Sequence, residues 1–539
     1  MRWHKRLAAA GVTGVLALTA SACAGGQVRG ASSTPTPATT TQAAQTTQTA
    51  AANNEETFVY APNLDVVTDW DPATSYSNEN IAMANIYEGL TRYNSETKKP
   101  EPRLATEWTS AQDGKEWTFK LREGVKFHTG KPLDADAAKK AIERTMKSGG
   151  GAAYIWEAVK TVEAPDATTL KFTLKRSTAL DLVASSVYAA YIYDTDGVDK
   201  DGKKDGGTGP YTIDTWAKGK ETELTLKAFE EYWGGWKPEQ YKKVAFRVTP
   251  QITTAWQLLQ KREVNFVERL NPQLIEKAAS TQGVQTTTTP SFQNLMLLFN
   301  TESGPLKDVK LRQAVQAALD YDGLAAALKG AGLKGSGLVP QGLLGFTPGL
   351  DPKQDLDRAG QLIESAGYGP DNPELTLKLT YAQGDDDQKL LVTLLSAQLK
   401  KFNITLNAKP MAWNAQWDQG KKKGQDIFVM YWYPDYADAY SWFINVFKSN
   451  PKPEFNLSYL NKPEIDKAID ALPMLTATDR ALAEQSYADL QKKIIVDEAA
   501  VAVPYVQTYQ RALSDGIQGY VDNPAYPNVV FFYDLKPTG

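Results

Sequence analysis

One cysteine and two histidines occur in 539 residues, and each scarcity excludes a class of chemistry. A lone cysteine, Cys23, permits no intrachain disulfide, so an exported chain must hold its fold by packing alone. His4 falls in a basic N-terminal stretch of signal-peptide type, which leaves His128 as the single imidazole of the mature chain. No Gly-x-Ser-x-Gly elbow, phosphate-binding glycine loop or His-x-x-x-His pair is present, so nucleophilic, nucleotide and zinc chemistry lack their usual parts. Acidic residues are plentiful, yet nothing singles out a carboxylate pair. The sequence therefore predicts no enzyme, no cofactor and no metal. The balance of 59 basic against 63 acidic residues gives a net charge of −4 with no basic stripe, which argues against a nucleic-acid surface.

What is present begins at the N-terminus. Arg2, His4, Lys5 and Arg6 precede an apolar stretch from Leu7 to Thr19, and small residues lead to Ala20-Ser21-Ala22-Cys23. That apolar stretch is too short to span a bilayer and has the layout of a secretory signal, residues 1–22. The end of it resembles a bacterial lipobox, with Ala20 where Leu is usual, and implies lipidation at Cys23. The alternative is a plain secretory signal with Cys23 incidental. Acyl chains would contribute roughly 0.8 kcal/mol per buried methylene, enough with more than one chain to hold a domain at a membrane. Residues 23–56 are Thr, Ala, Gln, Ser and Pro with almost no charge. Such a segment cannot bury enough surface to fold and forms a tether with a span on the order of 30 Å.

From Thr57 onward the composition is globular, and its length predicts two or three lobes. Strand and helix patterns alternate, which argues α/β. Glu116 to Leu121 alternates as a half-buried strand, and Leu375, Leu377 and Leu379 do the same. Asp134 is placed to cap a helix running to about Met146. Leu311, Ala314, Val315, Ala318 and Leu319 form one helical apolar face, and Leu391, Leu394, Leu395 and Leu399 another. All are expected in the core. The loop from Asp194 to Gly207 is rich in Asp, Gly and Lys but lacks calcium-loop spacing, so it is expected to be solvated surface.

Aromatic density is the strongest positive signal. Tyr431 to Phe443 holds seven aromatic residues in thirteen, directly after a strand-like Asp426 to Met430, and strand ends are where α/β folds meet ligands. Aromatic walls around one carboxylate suit a ligand with an apolar body and a cationic end. About half of these rings are expected to be packing, with ligand roles for Trp432, Asp435 and Tyr436.

Several stretches, in order, resemble one family. Asn85-Ile86-Tyr87-Glu88-Gly89-Leu90, Pro102-Arg103-Leu104-Ala105, Trp117 to His128, Gly207-Thr208-Gly209-Pro210-Tyr211 and Leu311 to Asp320 are similar to extracellular solute-binding protein family 5, the dipeptide-, oligopeptide- and nickel-binding components of ABC importers. The resemblance covers Thr57 to about Tyr520. It implies a two-lobed periplasmic-binding-protein-like α/β fold with an extra subdomain and two crossing hinge segments, Leu295 to Asn300 and Val501 to Tyr505. Lobe I would comprise 57–102, 208–297 and 505–539, its subdomain 103–207, and lobe II 298–504. His128 becomes a residue of the fold.

The resemblance also implies partners and a site. The chain would act as a monomer, lipid-anchored on the outer face of the cell membrane, serving permease subunits with a cytoplasmic ATPase. In peptide-binding relatives the Asp of a Trp-x-x-Asp pattern pairs with the ligand's α-amino group, and Trp432-Tyr433-Pro434-Asp435 matches it. Trp413 matches an upstream pocket residue, Tyr76 lies on a segment bordering the cleft, and Arg269 follows a strand beside it. Dipeptide binders carry an Arg for the ligand carboxylate where this chain has Gln383-Gly384-Asp385-Asp386-Asp387. Those acids read either as helix N-terminal charge or as a cleft tuned to a cationic or longer ligand. An oligosaccharide ligand, a surface sensor and a secreted carboxylate-dependent hydrolase are the alternatives.

Overall fold

The structure is a computed structural model that describes residues 57–538, save 64–65, 68–69, 75–77, 200–201, 218–219 and 221. Cys23, the signal and tether segments and Tyr76 lie outside the described residues. Those that are described belong to one compact unit. None of their helices is long and apolar enough to cross a membrane.

Two strands exceed all others in length, Val284–Phe299 with 16 residues and Val501–Ser514 with 14. They pair antiparallel from Val284 opposite Ser514 to Leu298 opposite Val501. The pairing shifts register between Pro290 and Asn294, where proline has no N–H to give the ladder. The segments predicted as hinge crossings form one shared end of this pair.

The pair lies inside an 11-stranded mixed sheet. Beyond Val284–Phe299 come Ile427–Trp432, Leu375–Ala382 and Ile404–Met411. Beyond Val501–Ser514 come Phe266–Val267, Thr57–Ala61, Lys243–Arg247, Thr222–Ala228 and Tyr211–Trp216. Period-two alternation decides what each face covers. Leu295, Leu297 and Phe299, with Ile427 and Val429, pack against the predicted helical stripes around Leu311, Val315, Leu391 and Leu395. Met296, Leu298, Phe428 and Met430 point to the opposite face. Both faces are buried, and each such side chain contributes roughly 1.5–3 kcal/mol.

A separate four-stranded antiparallel sheet is built from Ala105–Ser110, Glu116–Leu121, Thr169–Leu174 and Val159–Asp166. Glu116–Leu121 turns Trp117, Phe119 and Leu121 inward. The helix Ala135–Ser148 starts as predicted, with the Asp134 carboxylate accepting from Ala137 N at 2.8 Å. The core of this sheet is continuous with Trp442, Phe443, Ile469, Leu472 and one face of the large sheet.

The 194–207 loop departs from its expected solvated character. Asp194 and Asp205 are buried. Thr129 Oγ1 donates to Asp194 at 2.8 Å, and Asp205 accepts from His128, Thr212 and Ile213 N. Acids spaced along a loop look solvated in sequence, because their donors lie up to 77 positions away. Gly207 is equally constrained, since a Cβ there would stand 2.1 Å from the Ile86 carbonyl oxygen.

His128 sits between two acceptors, the Asp205 carboxylate at Nδ1 and the Gly209 carbonyl at 2.8 Å from Nε2. Only imidazolium donates to both. Burial lowers its pKa, but the Asp205 charge and the two hydrogen bonds outweigh this and leave it raised, while Asp205 is lowered. A raised histidine contributes stability that is complete below the unfolded value of about 6.5 and is lost as pH rises through the folded one. Denaturant melts of wild type and His128→Gln should therefore differ more at pH 5.5 than at pH 9. A pH-independent difference would rule out a charged His128.

Candidate ligand-binding cleft

The two long strands also carry a polar run. Gln507 to Arg511 and Gln293 line a cleft of about 1030 Å3. One wall is the segment Glu268 to Gln273, which follows Phe266–Val267. The opposite wall is Ala382 to Asp387, which follows Leu375–Ala382 and opens the helix Asp386–Lys400. Both walls are loops at strand ends, where backbone groups leave the ladder and side chains are free to converge.

Charge is distributed unequally over these walls. Asp385 is the cap of its helix, accepting from Gln388 N at 2.9 Å, as the dipole reading required. Asp385, Asp386 and Asp387 also all line the cleft, so the two readings of these acids coincide in space. The pKa of Asp387 is raised by burial and by its two acidic neighbours, and lowered by Arg269 on the facing wall. Arg269 is exposed in the cleft.

Arg511 forms the buried counterpart. It is 3% exposed, and its Nη1 donates to the Glu268 carbonyl and to Asn528 Oδ1. Its Nε lies 3.3 Å from Asp522 Oδ2, and its guanidinium stands 4.3 Å over the Tyr509 ring. The Glu268 carboxylate accepts from Tyr60 OH at 2.8 Å and Asn63 N at 2.9 Å. Among the described residues, Asn or Gln fills nine of the 27 lining positions, whereas only Tyr431 and Tyr509 supply rings. The surface thus offers paired donors and acceptors in preference to stacking faces.

Trp432, at the end of its strand, and Asp435 and Tyr436, on the loop that follows, lie outside that lining. Trp432 is half-buried, donating from Nε1 to Ser441 Oγ at 3.1 Å and meeting Phe455 edge-on at 5.0 Å. Tyr436 is half-buried against the core, and Trp442 and Phe443 are fully inside it. The Asp435 carbonyl accepts from Ser186 Oγ at 2.7 Å. Its carboxyl pKa is raised, by burial above all, against hydrogen bonds from Tyr154 and from its own backbone. Among the described residues no lysine, arginine or histidine makes an ion pair with it. Tyr188 links the two regions, lying within electrostatic reach of Asp435, Tyr433 and the cleft residue Tyr509. Trp413 is 44% exposed at the start of the helix Trp413–Lys421 and does not line the cleft. Sequence reasoning missed Glu268 and the run Gln507 to Arg511. The available signal was five consecutive polar or amphipathic residues just past the predicted hinge crossing Val501 to Tyr505.

The profile of the bacterial extracellular solute-binding proteins, family 5 (middle), matches residues 99–454. The chain belongs to this family. Its members are non-catalytic solute-binding proteins of ABC importers, and the protein is extracytoplasmic. The "Probable D,D-dipeptide-binding periplasmic protein DdpA" of Escherichia coli is 26% identical over 476 residues, covering 85% of this chain and 90% of that protein. Heme-binding protein A of Haemophilus influenzae is also 26% identical, over 520 residues, with 89% and 92% covered. The structure of NikA from Brucella suis in complex with Fe(III)-EDTA superposes with a TM-score of 0.79 at 21% identity, covering 89% of this chain and 99% of that one. The fold is therefore the mixed α/β periplasmic-binding-protein fold. Family membership fixes the transport role and leaves the solute open.

Arg511 holds this end of the cleft together electrostatically. Arg511→Ala leaves the Asp522 carboxylate buried without its cation and removes a donor from the Glu268 loop. Equilibrium denaturation should show a loss of about 3–5 kcal/mol, the range for breaking one side of a buried pair. A loss below about 1 kcal/mol would mean that the pair is already solvated.

Proposed function

We propose that the chain captures peptides with a free N-terminus, that Asp435 pairs with their α-ammonium group, and that the peptide extends past Tyr433 and Tyr509 into the amide-rich cleft. The observation that carries this reading is the desolvated Asp435 carboxylate, which has no cationic side chain paired with it among the described residues. A buried carboxylate of that kind gains most from a cation brought by the ligand. The nine carboxamides suit a peptide backbone, which presents N–H and C=O groups in equal number. The relative named as D,D-dipeptide-binding adds weight to a peptide solute. Arg269, Trp432, Tyr436, Trp413 and Tyr76 remain candidate contacts on this reading. The lobes we propose are those given by the resemblance, 57–102 with 208–297 and 505–539, then 298–504, with 103–207 as the subdomain.

Asp435→Asn preserves size and removes the charge. Isothermal titration with trialanine should show affinity at least about 30-fold weaker, roughly 2 kcal/mol, with the melting temperature nearly unchanged. N-acetyl-trialanine should bind wild type and variant alike. Because burial raises the Asp435 pKa, trialanine binding should also fall as pH drops through that raised value, where the carboxyl takes up its proton. Full affinity in Asp435→Asn would remove the assignment. Binding of oligosaccharides instead of any peptide would move the solute to carbohydrate.

We also propose that Cys23 carries the lipid that holds the domain at the outer face of the membrane. What supports this is the lone cysteine placed at the end of a secretory signal. Cys23→Ala should shift the protein from the membrane pellet to the soluble fraction. Retention in the pellet would refute the anchor.

A further inference from the structure

Asp181 and Arg480 meet at a boundary far apart in sequence. Asp181 lies on the short helix Leu180–Val183, within the segment that also holds the four-stranded sheet, and Arg480 begins the helix Arg480–Lys492. Arg480 Nη2 donates to Asp181 Oδ2 at 2.9 Å. The Asp181 side chain is only 7% exposed and that of Arg480 is 41% exposed. The other Asp181 oxygen accepts from Leu182 N at 3.0 Å, so Arg480 is its one cationic partner among the described residues.

A second acid shares that cation. Asp438 is 4% exposed, and its Oδ1 accepts from Tyr440 N at 2.9 Å and Tyr487 OH at 3.1 Å. Arg480 opposes its burial electrostatically, while Asp181 adds to it. The same boundary holds the Ser186 hydroxyl on the Asp435 carbonyl and a backbone approach so close that a Cβ on Gly114 would stand 2.8 Å from that of Ala477.

We propose that Asp181 and Arg480 form the pair that docks the 103–207 region against the Asp435 loop and thereby positions Asp435. Apolar packing across this boundary is non-directional, whereas an ion pair between a nearly buried carboxylate and a guanidinium fixes one arrangement. Without the guanidinium, the docked form keeps Asp181 and Asp438 out of water with no compensating charge. Separation restores hydration to Asp181, so the undocked population rises. Apparent affinity falls in proportion to the docked fraction. The pair is a positioning element and touches no ligand.

This inference rests on the peptide reading only where it concerns Asp435 as the ligand contact. Docking itself is measured without ligand, by hydrogen–deuterium exchange of the free chain. Arg480→Gln should exchange roughly fivefold faster or more at residues 180–188 and 435–443, a change that corresponds to a population shift of that size, while Thr57–Ala61 stays unchanged. The exchanged pair Asp181→Arg with Arg480→Asp should return both segments toward wild type, an outcome that a general loss of folding would not give. Unchanged exchange in Arg480→Gln, or a charge swap no better than the single variants, would overturn the docking role. Trialanine affinity of Arg480→Gln should weaken by the factor by which the docked fraction falls. If the wild type binds no trialanine, the peptide reading fails while the exchange result still decides the docking.

Discussion

The antiparallel pairing of Val284–Phe299 with Val501–Ser514 is the constraint on which the other elements depend. These strands run through the middle of the large sheet, and every strand on either side reaches the rest of the sheet through them. Their apolar end is covered on both faces, which fixes the register, because a one-residue slip would exchange the two clusters. Their polar continuation, Thr508 to Arg511 opposite Thr287 to Pro290, supplies one side of the cleft. One pair of strands thus serves the core at one end and the cleft at the other.

Buried charge is handled differently at three places. His128 and Asp205 are a closed pair, each satisfying the other beside a backbone carbonyl. Arg511 is shared between Asp522, a backbone carbonyl and Asn528. Asp435 has burial without a cation. The first two are settled by groups within the chain, and the third is the one whose electrostatics call for a group from outside.

Much of the architecture was legible in the sequence because it rests on local periodicity. The Asp134 cap, the Glu116–Leu121 alternation and the leucine faces of Val309–Ala318 and Asp386–Lys400 each depend on residues within one or two turns. The cleft was less legible. Glu268 and Arg511 are 243 positions apart in the chain, and their proximity follows from the pairing of Phe266–Val267 with Leu513 and Ala512. The 194–207 loop misled for the same reason, since composition cannot reveal a distant histidine or threonine. The aromatic run is partly packing, with Trp442 and Phe443 inside, and only its first ring, Tyr431, lines the cleft.

The placement of the two cleft walls has a bearing on how such a protein diversifies. Glu268 to Gln273 and Ala382 to Asp387 are short connections that start where a strand ends, and neither contributes to the paired long strands. Changes of side chain at their exposed positions, Arg269, Gln273, Gln383 and Asp386, leave the ladder hydrogen bonds and both apolar clusters intact. On the reading proposed above, new solute preferences are accessible through these four exposed positions with little penalty to folding, while the shared strands stay unchanged. A grafting strategy that exchanges the outward-facing residues of both loops together, holding Arg511, Glu268 and their partners fixed, uses the same division of labour.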